Sequence, residues 1–175
     1  MKITLGLVFL VGMASCSLFD IDVKSTLSGK LDVTVDEQAA KGAAVGYPFQ
    51  ASTTIDPLED PDVEQYADKI TDVGVDGVVA EVESVSKPGV VFYSGCMFSI
   101  ANGSKSATYT LDEDWPIEVG TQVTLEDLGG FYNDMADILQ DLDVITLSMS
   151  GTSSEQGVTV TIRVDIETTM TGNPF

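Results

Sequence analysis

The chain has 175 residues, with 28 acidic and 8 basic side chains, and its formal net charge is −20. This charge argues against a nucleic-acid partner, because the phosphates would be repelled. The chain contains no histidine, which excludes the commonest general base, the usual zinc ligand and every Ser-His-Asp or Cys-His arrangement. Close carboxylate pairs must arise by chance among so many acids, so none of them identifies an enzyme.

The first residues have the order of an export signal. Lys2 supplies a positive charge, residues 3–13 form an apolar stretch too short to span a bilayer, and the small residues Ala14 and Ser15 precede Cys16. This order is typical of a cleaved signal peptide and not of a transmembrane helix.

Residues 13–16, Met-Ala-Ser-Cys, resemble the lipobox of bacterial lipoproteins. The resemblance implies that residues 1–15 are removed as a signal peptide, that Cys16 carries acyl chains such as palmitate, and that residues 16–18 tether the domain to the membrane. It also implies a location in the bacterial cell envelope, at the outer membrane. The alternative is cleavage after Ala14, which would give a secreted protein in which Cys16 could pair with Cys96.

Alternating apolar and polar residues predict the first strands. Over residues 19–35 the apolar side chains all fall at odd positions and the charged ones all fall at even positions, the pattern of a half-buried strand. This segment is either one long strand or a hairpin with a three-residue loop at 28–30. Residues 37–46 are predicted as a loop and 47–55 as the next strand. Within 73–85 the apolar parity changes at Gly77, which predicts a β-bulge.

A hairpin and a final strand are predicted in the second half of the chain. Asn102-Gly103 favours a type I′ turn, which would set Phe98 opposite Ala107. Residues 158–167 alternate without interruption and predict the last strand.

Two helices are predicted. Asp60 can cap a short helix whose first residue is Pro61, with its apolar face running to Ile70. A second helix is predicted within 124–142. The pair Gly129-Gly130 weakens this helix, so its ordered part is expected to begin at Phe131.

The elements together predict an all-β fold: one antiparallel β-sandwich of about seven or eight strands with two short peripheral helices. We expect a single domain over residues 19–175, since no linker long enough to divide it is present.

Four acids crowd one turn-rich segment and are the candidate metal ligands. They are Asp56, Glu59, Asp60 and Asp62. Carboxylate oxygens in a loop can bind Ca²⁺, although the spacing is not that of an EF-hand. No other cofactor is expected.

Trp115 follows three acids, residues 112–114, and is the candidate ligand-binding residue. An exposed indole beside carboxylates could stack on a sugar ring. The alternative is that Trp115 closes an edge of the core while the acids face water. Cys96 lies at an apolar position, and we expect a buried, unreactive thiol there.

The sequence favours a non-enzymatic binding or assembly module of the cell envelope, with a protein partner. An alternative is a subunit of an extracellular fibre or coat, in which residues 19–35 complete the sheet of a neighbour by strand addition. A hydrolase that uses carboxylates, such as a glycosidase, is the least favoured class.

Overall fold

The computed structural model describes residues 21–37 and 46–173. The predicted signal peptide of residues 1–15, the candidate lipidation site Cys16 and the tether of residues 16–18 lie outside the described residues. Most of the loop predicted at 37–46 also lies outside them.

The described residues form ten strands, two α-helices and one short 3₁₀ helix at Pro57–Glu59. The strands are β1 (Ile21–Val35), β2 (Tyr47–Ile55), β3 (Ile70–Val85), β4 (Val90–Phe92), β5 (Met97–Asn102), β6 (Lys105–Thr110), β7 (Trp115–Ile117), β8 (Gln122–Thr124), β9 (Ile145–Ser153) and β10 (Val158–Gly172). The helices are α1 (Pro61–Glu64) and α2 (Phe131–Leu139).

The strands form two antiparallel sheets. Sheet A has the order β1-β10-β3-β8. In sheet B, β9 pairs with β2 on one side and with β5 and β4 on the other, while β6 pairs with β5 and β7 with β4. The predicted all-β antiparallel sandwich with two short helices is therefore confirmed.

The path of the chain between the sheets is that of a jelly roll. Strands β4 and β5 occupy one strand position beside β9, and β6 and β7 occupy the next position outward. Counted in this way, eight strand positions are divided equally between the sheets, with the order 1-8-3-6 in sheet A and 2-7-4-5 in sheet B. This double-sheet arrangement is the jelly-roll architecture.

Strand β1 is one continuous strand and not a hairpin. It pairs with β10 from Ile21 opposite Gly172 to Val35 opposite Val158, without a register shift. Gly29 makes no turn, and its role is to let the sheets approach. A Cβ at this position would lie 2.8 Å from Ile55 Cδ1 and 3.2 Å from Leu147 Cδ2 in sheet B.

Sandwich packing follows from the alternation along each strand. The odd positions of β1 and the even positions of β10 face sheet B and are buried, apart from the partly exposed Ile21 at the strand end. Leu31, Ile162 and Phe92, for example, have no exposed surface and belong to one continuous apolar cluster. Burial of such a side chain contributes about 1.5–3 kcal/mol, so the two sheets are held together mainly by this cluster.

The β-bulge predicted at Gly77 is confirmed. The pairing of β10 with β3 passes from Gly77 to Val75, which leaves Asp76 as the extra residue. A second bulge, which the sequence did not predict, leaves Glu83 as the extra residue between Val82 and Ser84.

The hairpin of β5 and β6 exists, but its predicted register is wrong by two residues. Asn102 is paired with Lys105 and Phe98 with Tyr109, so the loop is Gly103-Ser104. Gly103 is the first loop residue and has a φ of 56°, and glycine at this place is typical of a type II′ turn. A shift of two residues keeps every side chain on its predicted face.

Both helices are shorter than the apolar patterns suggested. Asp60 caps α1 as predicted, but α1 ends at Glu64, and Ile70 already belongs to β3. Helix α2 begins at Phe131 because Gly129 and Gly130 have positive φ angles of 66° and 90°. Within the part of the chain that the structure describes, neither helix is long and apolar enough to cross a membrane.

The close approach at Gly29 can be tested by Gly29→Ala. Overpacking a filled core costs about 1–3 kcal/mol, so the free energy of unfolding from urea titration should fall by that amount. Gly74→Ala is the matched control, since Gly74 also lies in sheet A but a Cβ there would lie 3.5 Å from the Thr169 carbonyl oxygen, an ordinary contact. Equal losses in both variants would contradict a specific role for Gly29.

Candidate functional site

The four acids of the predicted calcium site do not converge on one point. Asp56 Oδ1 accepts a hydrogen bond of 3.0 Å from the Leu58 N–H, and Asp60 Oδ1 accepts one of 2.8 Å from the Asp62 N–H. Asp60 Oδ2 also accepts a hydrogen bond from the Ser25 hydroxyl of β1. The two carboxylates therefore cap the 3₁₀ helix and α1.

The four acids of this segment are not grouped as metal ligands in the described structure. Among residues 21–37 and 46–173, no group of three or more His, Cys, Asp or Glu side chains is placed to hold a metal ion. Asp56, Glu59 and Asp60 instead line an open cleft of about 330 Å³ against the hydroxyl groups of β1 and β2. Backbone N–H groups bond to one oxygen of Asp56 and one of Asp60, so the arrangement gives no support to Ca²⁺ binding by Asp56, Glu59, Asp60 and Asp62, which stays a prediction.

Asp60→Ala should separate the capping role from a metal-binding role. Loss of an N-cap costs about 0.5–2 kcal/mol, so the variant should unfold at a lower urea concentration. Asp62→Ala is the control: the side chain of Asp62 is exposed, and its loss should cost only a few tenths of a kcal/mol. Millimolar CaCl₂ should leave the melting temperature of the wild type unchanged. A calcium-dependent rise that Asp60→Ala abolishes would contradict the capping assignment.

Trp115 closes the edge of the core. Its side chain is 5% exposed, and its ring lies 6.4 Å from the Phe92 ring and 6.3 Å from the Phe98 ring. The indole Nε1 is buried and has no hydrogen-bond partner among the described residues. The ring is therefore covered, and stacking on a sugar would first require β7 to move.

An acidic cleft lies beside Trp115, between β7 and β8. Its volume is about 430 Å³, and its acids are Asp112, Glu113, Asp114 and Glu126. Asp114 Oδ1 accepts a 2.8 Å hydrogen bond from the Ser94 N–H and so holds the loop before β5. One interpretation of the sequence was that the three acids of residues 112–114 face water, and their position in an open cleft agrees with it.

Cys96 is a buried thiol, as predicted. It has no exposed surface, and desolvation by burial raises the pKa of its thiol. Gly151 of β9 lies directly against it, since a Cβ at Gly151 would be 2.1 Å from Cys96 Sγ. The pairing of Cys96 with Cys16 stays a prediction, because Cys16 lies outside the described residues.

The burial of Cys96 predicts slow thiol labelling in the native protein. In a Cys16→Ser background, Cys96 is the only cysteine, and a thiol reagent at pH 8 should react with it only after urea is added. The thiolate is the reactive form, and both its raised pKa and its burial suppress reaction. Complete labelling within minutes without urea would contradict this assignment.

The outer face of sheet A carries an ion-pair network. Arg163 of β10 contacts Glu81 at 2.8 Å, Asp165 at 3.0 Å and Glu83 at 3.6 Å, while Lys30 of β1 contacts Glu83 at 2.6 Å. Glu81 and Glu83 are two residues apart on β3, so both face outward and share Arg163. Sequence reasoning missed this network. Alternation indicated which residues point outward, but pairing across three strands depends on tertiary structure.

Strand β1 is an edge strand of its own sheet and not a free donor strand. It pairs with β10 along its whole length, so the predicted donation of residues 19–35 to a neighbour is wrong for the described residues 21–35. Its outer face includes the exposed charged residues Asp22, Lys24, Lys30 and Asp32. Charges of this kind discourage edge-to-edge pairing.

Comparisons with known proteins give structural neighbours alone. No family model and no curated protein matches the chain. The structure of mud crab tombus-like virus is similar at 10% identity, over 99% of this chain and 94% of that chain, with a TM-score of 0.36. The decameric BFDV capsid protein is similar at 12% identity, over 87% and 98%, with a TM-score of 0.37. Desmodium yellow mottle tymovirus is similar at 8% identity, over 87% of each chain, with a TM-score of 0.36. At these scores we transfer no function from them.

These findings correct the lipoprotein assignment made from residues 13–16. The structures to which the chain is similar are viral, and none of those described above is a lipoprotein or an outer-membrane protein. The description of the chain as a palmitate-bearing outer-membrane lipoprotein is therefore corrected, while a location in the cell envelope is not tested by these structures and stays a prediction. The predicted β-sandwich is confirmed. A lipobox pattern of four residues was too short to establish the lipoprotein description.

Proposed function

We propose that this chain is a non-enzymatic structural subunit, many copies of which pack side by side into a protein coat. One observation carries the proposal: the chain forms a jelly-roll sandwich whose interior is filled by its own side chains. The surfaces left for function are then the outer faces, edges and loops of the sandwich, which are the surfaces that neighbouring copies would meet.

The jelly-roll path supports a small set of functions. It is an architecture of capsid, lectin and cupin domains, and a fold alone does not fix a function. The residues of this chain must therefore discriminate between these classes.

The interior between the two sheets is filled by side chains, which argues against a ligand bound there. Phe92, Phe98 and Met149, from β4, β5 and β9, are each at most 1% exposed and meet in the apolar cluster. Sugar binding on an aromatic surface is also disfavoured, because the single tryptophan is 5% exposed and packed against Phe92 and Phe98. A coat subunit needs neither feature, since it uses the sandwich as a rigid block.

The charge of the chain sets the conditions for assembly. Copies with a formal net charge of −20 repel one another. The Debye length falls from about 10 Å at 0.1 M salt to about 3 Å at 1 M, so added salt weakens this repulsion. A coat of this chain is therefore expected to be stable in salt and to dissociate when salt is removed.

The proposal predicts that self-association of the full chain rises with ionic strength. Sedimentation velocity should show small species at about 0.1 M NaCl and large assemblies at about 1 M, and electron microscopy should show closed or extended particles. KCl at equal concentration is the control, because screening depends on ionic strength and not on the identity of the cation. A protein that stays monomeric at every salt concentration would overturn the proposal.

A further inference from the structure

The outer face of sheet B is uncharged at every described position. Alternation along β2, β9, β5 and β6, with single outward positions of β4 and β7, defines this surface, which we call the neutral face. Its residues are Pro48, Gln50, Ser52, Thr54, Val91, Met97, Ser99, Ala101, Ser106, Thr108, Thr110, Pro116, Thr146, Ser148, Ser150 and Thr152. Most of them are serine or threonine.

The neutral face contrasts with the rest of the chain. The outer face of sheet A carries the ion-pair network of Arg163 and Lys30, together with further acids on all three long strands. Acids make up 28 of the 175 residues, yet none occupies an outward position on the described strands of sheet B. In the described structure, the acidic charge therefore lies on one sheet face, on the helices and on the loops.

The register aligns the small side chains of the neutral face in rows across the strands. One row crosses four strands, from Ser52 of β2 through Ser148 of β9 and Ser99 of β5 to Thr108 of β6. Ser52 and Thr108, at the two ends of this row, are exposed, as is Thr146 of β9. Met97 is the one large apolar side chain on this surface, and it is 45% exposed.

The helices leave this surface uncovered in the described structure. Helix α2 inserts Phe131, Met135 and Ile138 into the apolar cluster between the sheets. Helix α1 is tied to β1 of sheet A, because its cap residue Asp60 accepts a hydrogen bond from Ser25.

We propose that the neutral face is where a second copy of this chain packs. The inference rests on the proposed coat function and assigns the coat one of its contact surfaces. Two copies with a net charge of −20 each repel least where neither presents a charge, since burying unpaired carboxylates in a contact is costly. A basic partner, by contrast, would be drawn to the acidic surfaces and not to this face.

Hydroxyl groups make the face complementary to itself. Each serine or threonine hydroxyl both donates and accepts a hydrogen bond. Two identical hydroxyl surfaces can therefore pair across a two-fold axis, where the same patch meets itself. A face of carboxylates could not do so, because carboxylates only accept when ionised.

The size of the face agrees with a weak contact repeated many times. β2 and β9 have 9 residues each, or about 31 Å at 3.4 Å per residue, and four strands span about 19 Å. The resulting area of about 600 Å² lies below the roughly 800 Å² per partner of a standard stable interface. A pair of copies should thus dissociate readily, and a larger assembly would gain from several contacts at once.

Charge substitutions on the two sheet faces test the inference. Ser52→Glu and, separately, Thr146→Glu place a carboxylate on the neutral face at exposed positions of sheet B. Thr34→Glu is the matched control, since Thr34 is an exposed position on the outer face of sheet A and the charge change is the same. All variants of the full chain are compared with the wild type by sedimentation equilibrium at 0.3 M NaCl, and their urea midpoints show that each one folds.

We expect each neutral-face variant to weaken association by about tenfold or more, because an unpaired charge must lose its water in the contact. Thr34→Glu should change association by less than about threefold, as expected for a charge outside the contact. Ser52→Lys should weaken association as Ser52→Glu does, since two like charges again meet across the two-fold axis. If Ser52→Lys strengthened association, the face would be meeting an acidic surface, and the inference would be overturned.

The outcomes separate this inference from the coat proposal. If the wild type assembles and the neutral-face variants assemble equally well, the contact lies elsewhere and the coat proposal stands. If the wild type stays monomeric at every salt concentration, the coat proposal itself fails.

Discussion

The pairing of β10 with both β1 and β3 is the constraint on which the rest of the structure depends. β10 has 15 residues, pairs with β1 along its full length and carries the ladder to β3 on its other side. Its even-numbered side chains form the floor against which sheet B packs, and its odd-numbered side chains present Arg163 to the ion pairs of the outer face. One strand thus links the core to the charged surface.

Close approach of the two sheets is the second consequence of this arrangement. Gly29 of β1 lies opposite Val164 of β10, and the absence of a side chain there admits Ile55 and Leu147 from sheet B. Within sheet B, the absence of a side chain at Gly151 of β9 likewise leaves room for Cys96, which directly precedes β5. The interior is consequently filled by side chains, and for this reason we look for function on the outer surfaces of the sandwich.

The two outer faces divide the chemistry of the chain. Sheet A carries charges, among which Arg163 is paired with Glu81 and Asp165, and Lys30 is paired with Glu83. Sheet B carries hydroxyl groups and no charge at its described outward positions. Because the chain is strongly negative, the uncharged outer face of sheet B is a surface on which two copies can meet with little repulsion. The composition of the chain is thereby linked to the proposed coat.

The sequence by itself determined which residues are strands and which side of each strand is buried, because alternation with a period of two reports burial directly. It also determined the cap at Asp60 and the start of α2 at Phe131, since both depend on residues that are neighbours in the chain. The tertiary structure alone decided which strands pair, because alternation gives a strand its face but not its partner. For that reason Gly29 lies in a continuous strand, the hairpin at Gly103 is shifted by two residues, and the bulge at Glu83 was not foreseen. The serine and threonine residues of the neutral face were visible in the sequence, but only the adjacency of β2, β9, β5 and β6 brings them onto one surface.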